Sequence, residues 1–300
     1  MVFFAISAYS LVMNIVAIQR LILLKHTLFG MTWLAASALL PYLQKEAPQF
    51  ELRPWLLLTL AFTSARFSGM CFNSYFDRSF DAKNPRTKNR PLPQGEISPR
   101  FCALQALLYL AIFLWASWAI NSLCSLLSLA VGVSVVLYSL TKRISPLCHF
   151  ALGFIYFFAP FCAWAALTGE ISPSPFFFGL ACFFTISASD IIYACQDVEF
   201  DRTIGLYSIP ALFDIKRALS IAALLHACAV GALYYESFLL DSTIFTISCG
   251  LIASIMAFCY MKLLLGQLSY MAVFTRINIS SGTILLCASI LELGLRWRAL

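Results

Sequence analysis

Nine apolar runs of membrane-spanning length follow one another along this chain of 300 residues. A helix needs about 20 predominantly apolar residues to cross the hydrocarbon core of a bilayer. Only 11% of the residues are charged, whereas a globular protein carries about 25%. The sequence therefore predicts an all-α polytopic membrane protein that forms one domain over residues 1–300, with the lipid bilayer as a partner. The predicted spans cover residues 27–44, 54–72, 100–119, 121–140, 148–168, 174–195, 218–236, 241–262 and 278–295.

The first 24 residues are apolar as well, but they lack the basic start and the small-residue cleavage site of a secretory signal peptide. A tenth span, an interfacial helix and an overlong start with Met13 as the true first residue all fit this segment. Within residues 1–25 we favour an interfacial helix over 14–25, which would place Arg20 and Lys25 at the lipid headgroups.

Lysine and arginine are distributed unevenly between the two sides that the nine spans define. One side receives 15 of them and the other receives 4. Because cytoplasmic loops are enriched in these residues, the bias places the N-terminus and the loops after spans 2, 4, 6 and 8 in the cytoplasm. The net charge of +6 fits such loops better than a nucleic-acid surface, so no nucleic acid is expected as a partner.

Five of the seven aspartates fall in two short stretches, and both stretches face the predicted cytoplasmic side. Asn73 stands four positions before Asp77, and Tyr193 stands four positions before Asp197, so N-x3-D-x3-D aligns with Y-x3-D-x3-D. This weak internal repeat is typical of membrane proteins built from two related halves around one cavity. The five acids are Asp77 and Asp81 after span 2, and Asp190, Asp197 and Asp201 at the end of span 6.

The spacing of these acids indicates a metal and phosphate site. Residues four apart share a helix face, and seven residues make about two turns, so each stretch presents its carboxylates together. Oxygen-only ligands without His or Cys nearby suit Mg²⁺, which usually bridges to substrate phosphates. Nearby bases can hold phosphate oxygens, and the candidates are Arg86, Arg90, Lys142 and Arg143. Arg66, inside the second span, is costly in lipid and is expected to face a cavity.

Several stretches resemble the signatures of the UbiA-type intramembrane prenyltransferases. The pattern N-x-x-x-D-x-x-x-D followed by "PRTKNRPLPQGEIS" is similar to the first signature of that family, and "YACQDVEFDRTIGLYSIP" is similar to the second. "YSLTKRISPLCHFALG", residues 138–153, resembles the loop after span 4, and "KHTLFG", residues 25–30, resembles the start of the first span. The resemblance covers nearly the whole chain.

The resemblance implies nine helices around a central cavity, with both Asp motifs at its cytoplasmic mouth and a lateral opening for a lipid diphosphate. It implies that Mg²⁺ and the diphosphate are held by Asn73, Asp77, Asp81, Asp197 and Asp201. It also implies that phosphate oxygens are held by Arg78, Arg86, Arg90 and Lys142.

Three further residues complete the predicted site. Arg143 is expected near the acceptor carboxylate or the diphosphate, and we favour the acceptor because neither Asp motif claims this base in the sequence. Tyr193, which takes the place of Asn73 in the repeat, is expected to bind substrate. Asp190 is a candidate for polarising the acceptor hydroxyl, with metal ligation as its alternative role.

The form of the second signature resembles members that act as 4-hydroxybenzoate polyprenyltransferases. The implied enzyme is a Mg²⁺-dependent transferase of the inner (cytoplasmic) membrane that moves a polyprenyl group from its diphosphate to an aromatic hydroxy acid in respiratory quinone biosynthesis. Many members that use 4-hydroxybenzoate carry Asp directly after the first Asn, whereas this chain carries Ser74. That departure leaves the number of Mg²⁺ ligands open, and it leaves a dihydroxynaphthoate of menaquinone biosynthesis as the alternative acceptor.

Two other classes of protein share some of these sequence features. The CDP-alcohol phosphotransferases are also Asp-rich membrane enzymes, but their single D-G-x2-A-R-x8-G-x3-D-x3-D pattern is absent here. A transporter that uses paired carboxylates for cations would place its acids near the middle of the membrane. The acids of this chain lie at span ends, which favours the enzyme.

Overall fold

The computed structural model describes residues 16–44, 46 and 49–298. Within these residues the chain is helical and contains no strand. The helices are α1 Leu24–Leu43, α2 Leu52–Asp81, α3 Pro99–Ile120, α4 Ser122–Thr141, α5 Cys148–Thr168, α6 Phe176–Ala194, α7 Val198–Ile204, α8 Ile209–Phe213, α9 Ile215–Leu239, α10 Thr243–Leu264 and α11 Tyr270–Arg298, with a 3-10 turn at Cys195–Asp197 between α6 and α7.

The helices confirm an all-α polytopic membrane protein. Eight of them in the described part of the chain are long and apolar enough to cross a bilayer, with α6 and α7 counted as one span through the 3-10 turn. The first predicted span corresponds to α1. Its apolar part, Thr27–Leu43, has 17 residues and is therefore shorter than the other eight spans. Helix α2 continues beyond the predicted end at residue 72 to Asp81, because neither Gly nor Pro interrupts residues 73–81.

A cavity of about 260 Å³ opens within the bundle and is lined by seven of the helices, α1 to α6 and α11. Helices α9 and α10 do not contribute to its lining, because they pack on the outer side of α6 and α11. The predicted helical bundle around a central cavity is confirmed, and two of its helices form an outer layer. The second half of the chain contributes residues of α5, three residues of α6 and Phe274 of α11 to the wall, and α9 packs against α6 from behind.

Helices α5 and α6 approach each other unusually closely. A Cβ atom added at Gly153 of α5 would lie 2.7 Å from the carbonyl oxygen of Phe183 on α6, and one added at Gly179 would lie 2.8 Å from that of Phe157. Any larger residue at these positions would push the two helices apart. This contact fixes the relative height of side chains one or two turns away on both helices.

The N-terminal residues 16–21 are helical and pack against the loop between α2 and α3. Arg20 donates from Nη1 to both carboxylate oxygens of Glu96 at 2.9 Å and from Nη2 to the carbonyl oxygen of Asn89 at 2.6 Å. Arg20 therefore braces this loop. Residues 1–15 and the side chain of Lys25 lie outside the described part of the chain, so the interfacial helix stays a prediction.

Candidate active site

The first Asp motif occupies the last turns of α2, as its spacing predicts. Asn73 donates from Nδ2 to Oδ2 of Asp77 at 3.1 Å, one helical turn later. Asp81 is the last residue of the helix and is buried. The three residues therefore form a polar face that leads from the cavity to the end of the bundle.

The second Asp motif does not lie on one continuous α-helix, so the predicted shared face of Asp190, Asp197 and Asp201 needs correction. After Ala194 the chain tightens into the 3-10 turn, and Asp197 has φ −110° and ψ 7° before α7 begins. These angles lie in the bridge region of backbone space, which is sparsely populated and common at active sites. The tighter turn changes the direction in which Asp197 points relative to Asp190.

Two arginines from the loop after α2 neutralise one acid of each motif. Arg86 donates from Nη2 to Oδ2 of Asp197 at 2.5 Å and from Nε to Oδ1 at 2.8 Å, and Asn84 adds a third hydrogen bond to Oδ1 at 2.9 Å. Arg90 donates from Nη1 to Oδ2 of Asp81 at 2.9 Å. Since Arg86 crosses from the first motif's loop to the second motif, the two motifs meet at the same end of the bundle.

Two bases that follow α4 neutralise the other acid of each motif. The Nζ atom of Lys142 lies 2.8 Å from Oδ1 of Asp201. Burial lowers the pKa of Lys142, but the neighbouring Asp201 carboxylate outweighs this and raises that pKa above its ordinary value. Arg143 donates from Nη2 to Oδ1 of Asp77 at 3.2 Å and to the carbonyl oxygen of Phe76 at 2.7 Å.

The pairing of Arg143 with Asp77 overturns the reason for assigning Arg143 to the acceptor. The first Asp motif does claim this base, and Arg143 does not line the cavity. The sequence could not show this, because the two residues are 66 positions apart and meet only through packing.

The cavity beside these ion pairs is apolar over most of its wall and polar at one end. The residues of its polar end are Arg66, Asn73, Arg90, Tyr138, Asp190 and Tyr193. The expectation that Arg66 faces a cavity is confirmed. The Nε atom of Arg66 is buried, and no described residue accepts a hydrogen bond from it. Arg66 as a whole is half-buried, and its unpaired Nε–H is a donor suited to an anion in the cavity.

Tyr193 joins the cavity to the ion pairs. Its hydroxyl oxygen accepts a hydrogen bond from Nη1 of Arg86 at 2.9 Å, and the Arg86 guanidinium stands 5.0 Å from the centre of its ring. Arg78, in contrast, bends back on its own helix, donates to the carbonyl oxygen of Tyr75 at 2.7 Å and is exposed. Among the described residues it pairs with no carboxylate, so its predicted phosphate role has no support in the geometry.

Asp190 projects into the cavity and is held from behind by a residue that the sequence argument missed. Oδ2 of Asp190 lies 2.6 Å from Nδ1 of His149, in the first turn of α5. The two residues are 41 positions apart, so no spacing pattern joins them. The only sequence signal was that His149 falls within the stretch that resembles the family's loop after span 4.

Within the described residues, no three side chains of His, Cys, Asp or Glu converge on one point as a ready metal site. The four motif carboxylates instead each form an ion pair with a separate base. The donors are all oxygen atoms, which is the ligand chemistry of Mg²⁺. The carboxylates would fit Mg²⁺ if an anion bound together with the ion and took over the four bases.

Comparison with known proteins identifies the family. The sequence profile of the UbiA prenyltransferase family matches residues 31–281. A "4-hydroxybenzoate octaprenyltransferase" of Aeromonas salmonicida is 34% identical over 222 residues, which cover 72% of this chain and 73% of that protein. An enzyme of the same name from Tolumonas auensis is 31% identical over 207 residues, which cover 69% and 68% of the two chains.

Solved structures share the fold. A UbiA homolog from Aeropyrum pernix K1 has a TM-score of 0.80 and 29% identity, over 89% of this chain and 98% of that one. A UbiA homolog from Archaeoglobus fulgidus, bound to GPP and Mg²⁺, has a TM-score of 0.69 and 22% identity, over 93% and 99% of the two chains. With its helices, its two Asp stretches and this match, the chain belongs to the UbiA prenyltransferase family.

Proposed function

We propose that this protein transfers a polyprenyl group from a polyprenyl diphosphate to 4-hydroxybenzoate, a step of respiratory quinone biosynthesis of the ubiquinone type. The observation that carries the proposal is an apolar cavity whose polar end holds a half-buried arginine with an unpaired Nε and opens onto four carboxylate–base pairs. An apolar tail, a diphosphate and an aromatic acid each find a chemically matched surface there. The names of the relatives from Aeromonas salmonicida and Tolumonas auensis support 4-hydroxybenzoate as the acceptor.

The diphosphate end would be bound by an exchange of partners among the ion pairs. Arg86, Arg90 and Lys142 would turn from their aspartates to phosphate oxygens, for which bidentate arginine is well suited. The freed oxygen ligands would hold Mg²⁺, namely Asn73, Asp77, Asp81, Asp197 and Asp201. When bound, Mg²⁺ supplies positive charge beside the departing diphosphate. The relative from Archaeoglobus fulgidus has Mg²⁺ bound, and for this chain the proposal rests on its own carboxylates.

The acceptor would lie across the polar end of the cavity, with its carboxylate on Arg66 and its hydroxyl toward Asp190. The bond between the allylic carbon and the diphosphate oxygen breaks, and the diphosphate keeps the electron pair. The ring carbon beside the hydroxyl then bonds to the allylic carbon and loses its proton to the departed diphosphate, which restores the aromatic ring. Asp190 assists by accepting the hydroxyl's hydrogen bond, which raises electron density on the ring. The apolar wall keeps water from the allylic cation.

Purified protein in detergent or liposomes, given radiolabelled polyprenyl diphosphate, tests the function directly. We expect labelled product with 4-hydroxybenzoate and Mg²⁺, and none after removal of the metal with EDTA. Dihydroxynaphthoate, the alternative acceptor that Ser74 leaves open, is offered in a parallel reaction and in direct competition. Product from the naphthoate alone would move the enzyme to menaquinone biosynthesis, and no product from either acid would refute the proposal.

We also propose that the protein lies in the inner membrane and that its active site faces the cytoplasm. Cysteines introduced at the exposed positions Lys88 and Thr203, near the two Asp motifs, should react with a membrane-impermeant maleimide only in inverted vesicles. A cysteine at Glu170, in the exposed loop at the other end of α5, is the matched control and should react only in right-side-out cells. The variants are made without the exposed Cys228 and Cys287. If the cysteines at positions 88 and 203 were labelled from opposite sides of the membrane, the proposal would be contradicted.

A further inference from the structure

We infer that His149 is the positioning residue for Asp190: it holds the Asp190 carboxylate toward the acceptor and fixes which atoms carry protons. The inference rests on the proposed function, because it assigns a residue to the step in which Asp190 meets the acceptor hydroxyl. His149 itself is 2% exposed and does not line the cavity, so it acts through Asp190 and not on the substrate.

The hydrogen bonds of His149 define its proton arrangement. The backbone N–H of Ile209 points at Nε2 at a distance of 3.3 Å, and a backbone N–H can only donate. Nε2 must therefore offer its lone pair, so the single proton of the neutral ring sits on Nδ1. That proton is donated to Oδ2 of Asp190 at 2.6 Å, which leaves Oδ2 as the acceptor, the role that a carboxylate oxygen fills.

The carboxylate that results is held on one side and open on the other. Among the described residues, His149 makes the one hydrogen bond to Asp190, and it uses Oδ2 alone. Oδ1 stays available to a ligand in the cavity that Asp190 lines. A carboxylate with a single fixed hydrogen bond keeps both its orientation and its capacity to accept, which is what a residue that polarises a hydroxyl requires.

Contacts on two sides fix the position of His149. The close contact of α5 with α6 at Gly153, one turn after His149, sets the height of the ring against Asp190. Opposite, residues 207–209 are tied down at each position: Tyr207 N–H donates to the Lys142 carbonyl at 2.9 Å, the Ser208 hydroxyl donates to Asp201 at 3.1 Å, and Ile209 N–H reaches His149. His149 thus joins the cavity acid to the segment that also holds an acid of the second motif.

His149→Leu removes both hydrogen bonds at a similar volume, and we expect kcat to fall about 100-fold, the scale for a misplaced catalytic group. The KM for polyprenyl diphosphate should stay within about twofold, because the ion pairs are untouched. His149→Asn keeps an amide donor near the position of Nδ1 but loses the acceptor for Ile209, and it should keep kcat within about tenfold of wild type. Steady-state rates and yields of monodisperse protein are measured for each variant.

A double-mutant cycle with Asp190→Asn separates positioning from a general structural role. If His149 acts through the carboxylate, adding His149→Leu to Asp190→Asn lowers kcat no further. Fully additive losses, an unchanged kcat in His149→Leu, or equal losses in the Asn and Leu variants would overturn the inference. His226→Asn is the matched control: this second buried histidine bonds Tyr260 at 2.9 Å outside the cavity, and kcat should not change. Wild-type protein that transfers no prenyl group would refute the proposed function instead.

Discussion

Asp197→Asn is expected to lower kcat by at least about 100-fold, the scale on which loss of one preorganised electrostatic contact is felt. The substitution removes one charge from the set that would hold Mg²⁺ and leaves the Arg86 guanidinium without its bidentate partner. Asp77→Asn, in the first motif, should have an effect of the same size. Initial rates at saturating Mg²⁺ check both, with protein yield and monodispersity measured in parallel.

Asp214→Asn is the matched control for these charge deletions. Asp214 is a half-buried aspartate before α9 that caps the helix by accepting from the Arg217 N–H at 2.9 Å, and Asn can cap in the same way. It lies outside the cavity and both motifs, so wild-type turnover is expected. Near wild-type rates in Asp77→Asn or Asp197→Asn would remove that acid from the proposed site.

Arg66→Met is expected to raise the KM for 4-hydroxybenzoate by about 100-fold, since leaving a buried charge without its partner costs about 2–5 kcal/mol. The KM for polyprenyl diphosphate should change by less than about threefold, because Arg66 takes part in none of the ion pairs at the mouth. Methionine preserves the length and flexibility of the side chain, so the effect is one of charge.

Two comparisons sharpen the Arg66 experiment. With phenol, which lacks the carboxylate, Arg66→Met and wild type should show the same acceptor KM. Arg143→Met should instead raise the KM for polyprenyl diphosphate, since Arg143 pairs with Asp77, one of the acids proposed to hold Mg²⁺ and the diphosphate. If Arg143→Met is the variant that loses affinity for 4-hydroxybenzoate, the acceptor lies elsewhere and Arg66 has another role.

The local features of this protein could be predicted from the sequence, while the ion pairs and hydrogen bonds between distant residues could not. Apolar runs predict the helices, and the spacing of Asn73, Asp77 and Asp81 places them on one face of α2, because both are set by neighbours along the chain. The bond between Arg86 and Asp197 joins residues 111 positions apart, so only the folded bundle reveals it. The 3-10 turn before Asp197 was missed for a different reason, since its residues are also compatible with an α-helix.

The length of α2 has a consequence for how this enzyme meets its lipid substrate. Thirty residues make a helix of about 45 Å, whereas the hydrocarbon core is about 30 Å thick. If the helix enters the core near Arg53, it leaves it about 20 residues later, near Asn73, which puts Asp77 and Asp81 at headgroup depth. A polyprenyl diphosphate carries its own charged head at that depth, so it can arrive by sideways diffusion within one leaflet. Its effective concentration is then a mole fraction of the lipid, and affinities measured in bulk molarity will shift with the amount of membrane in the assay.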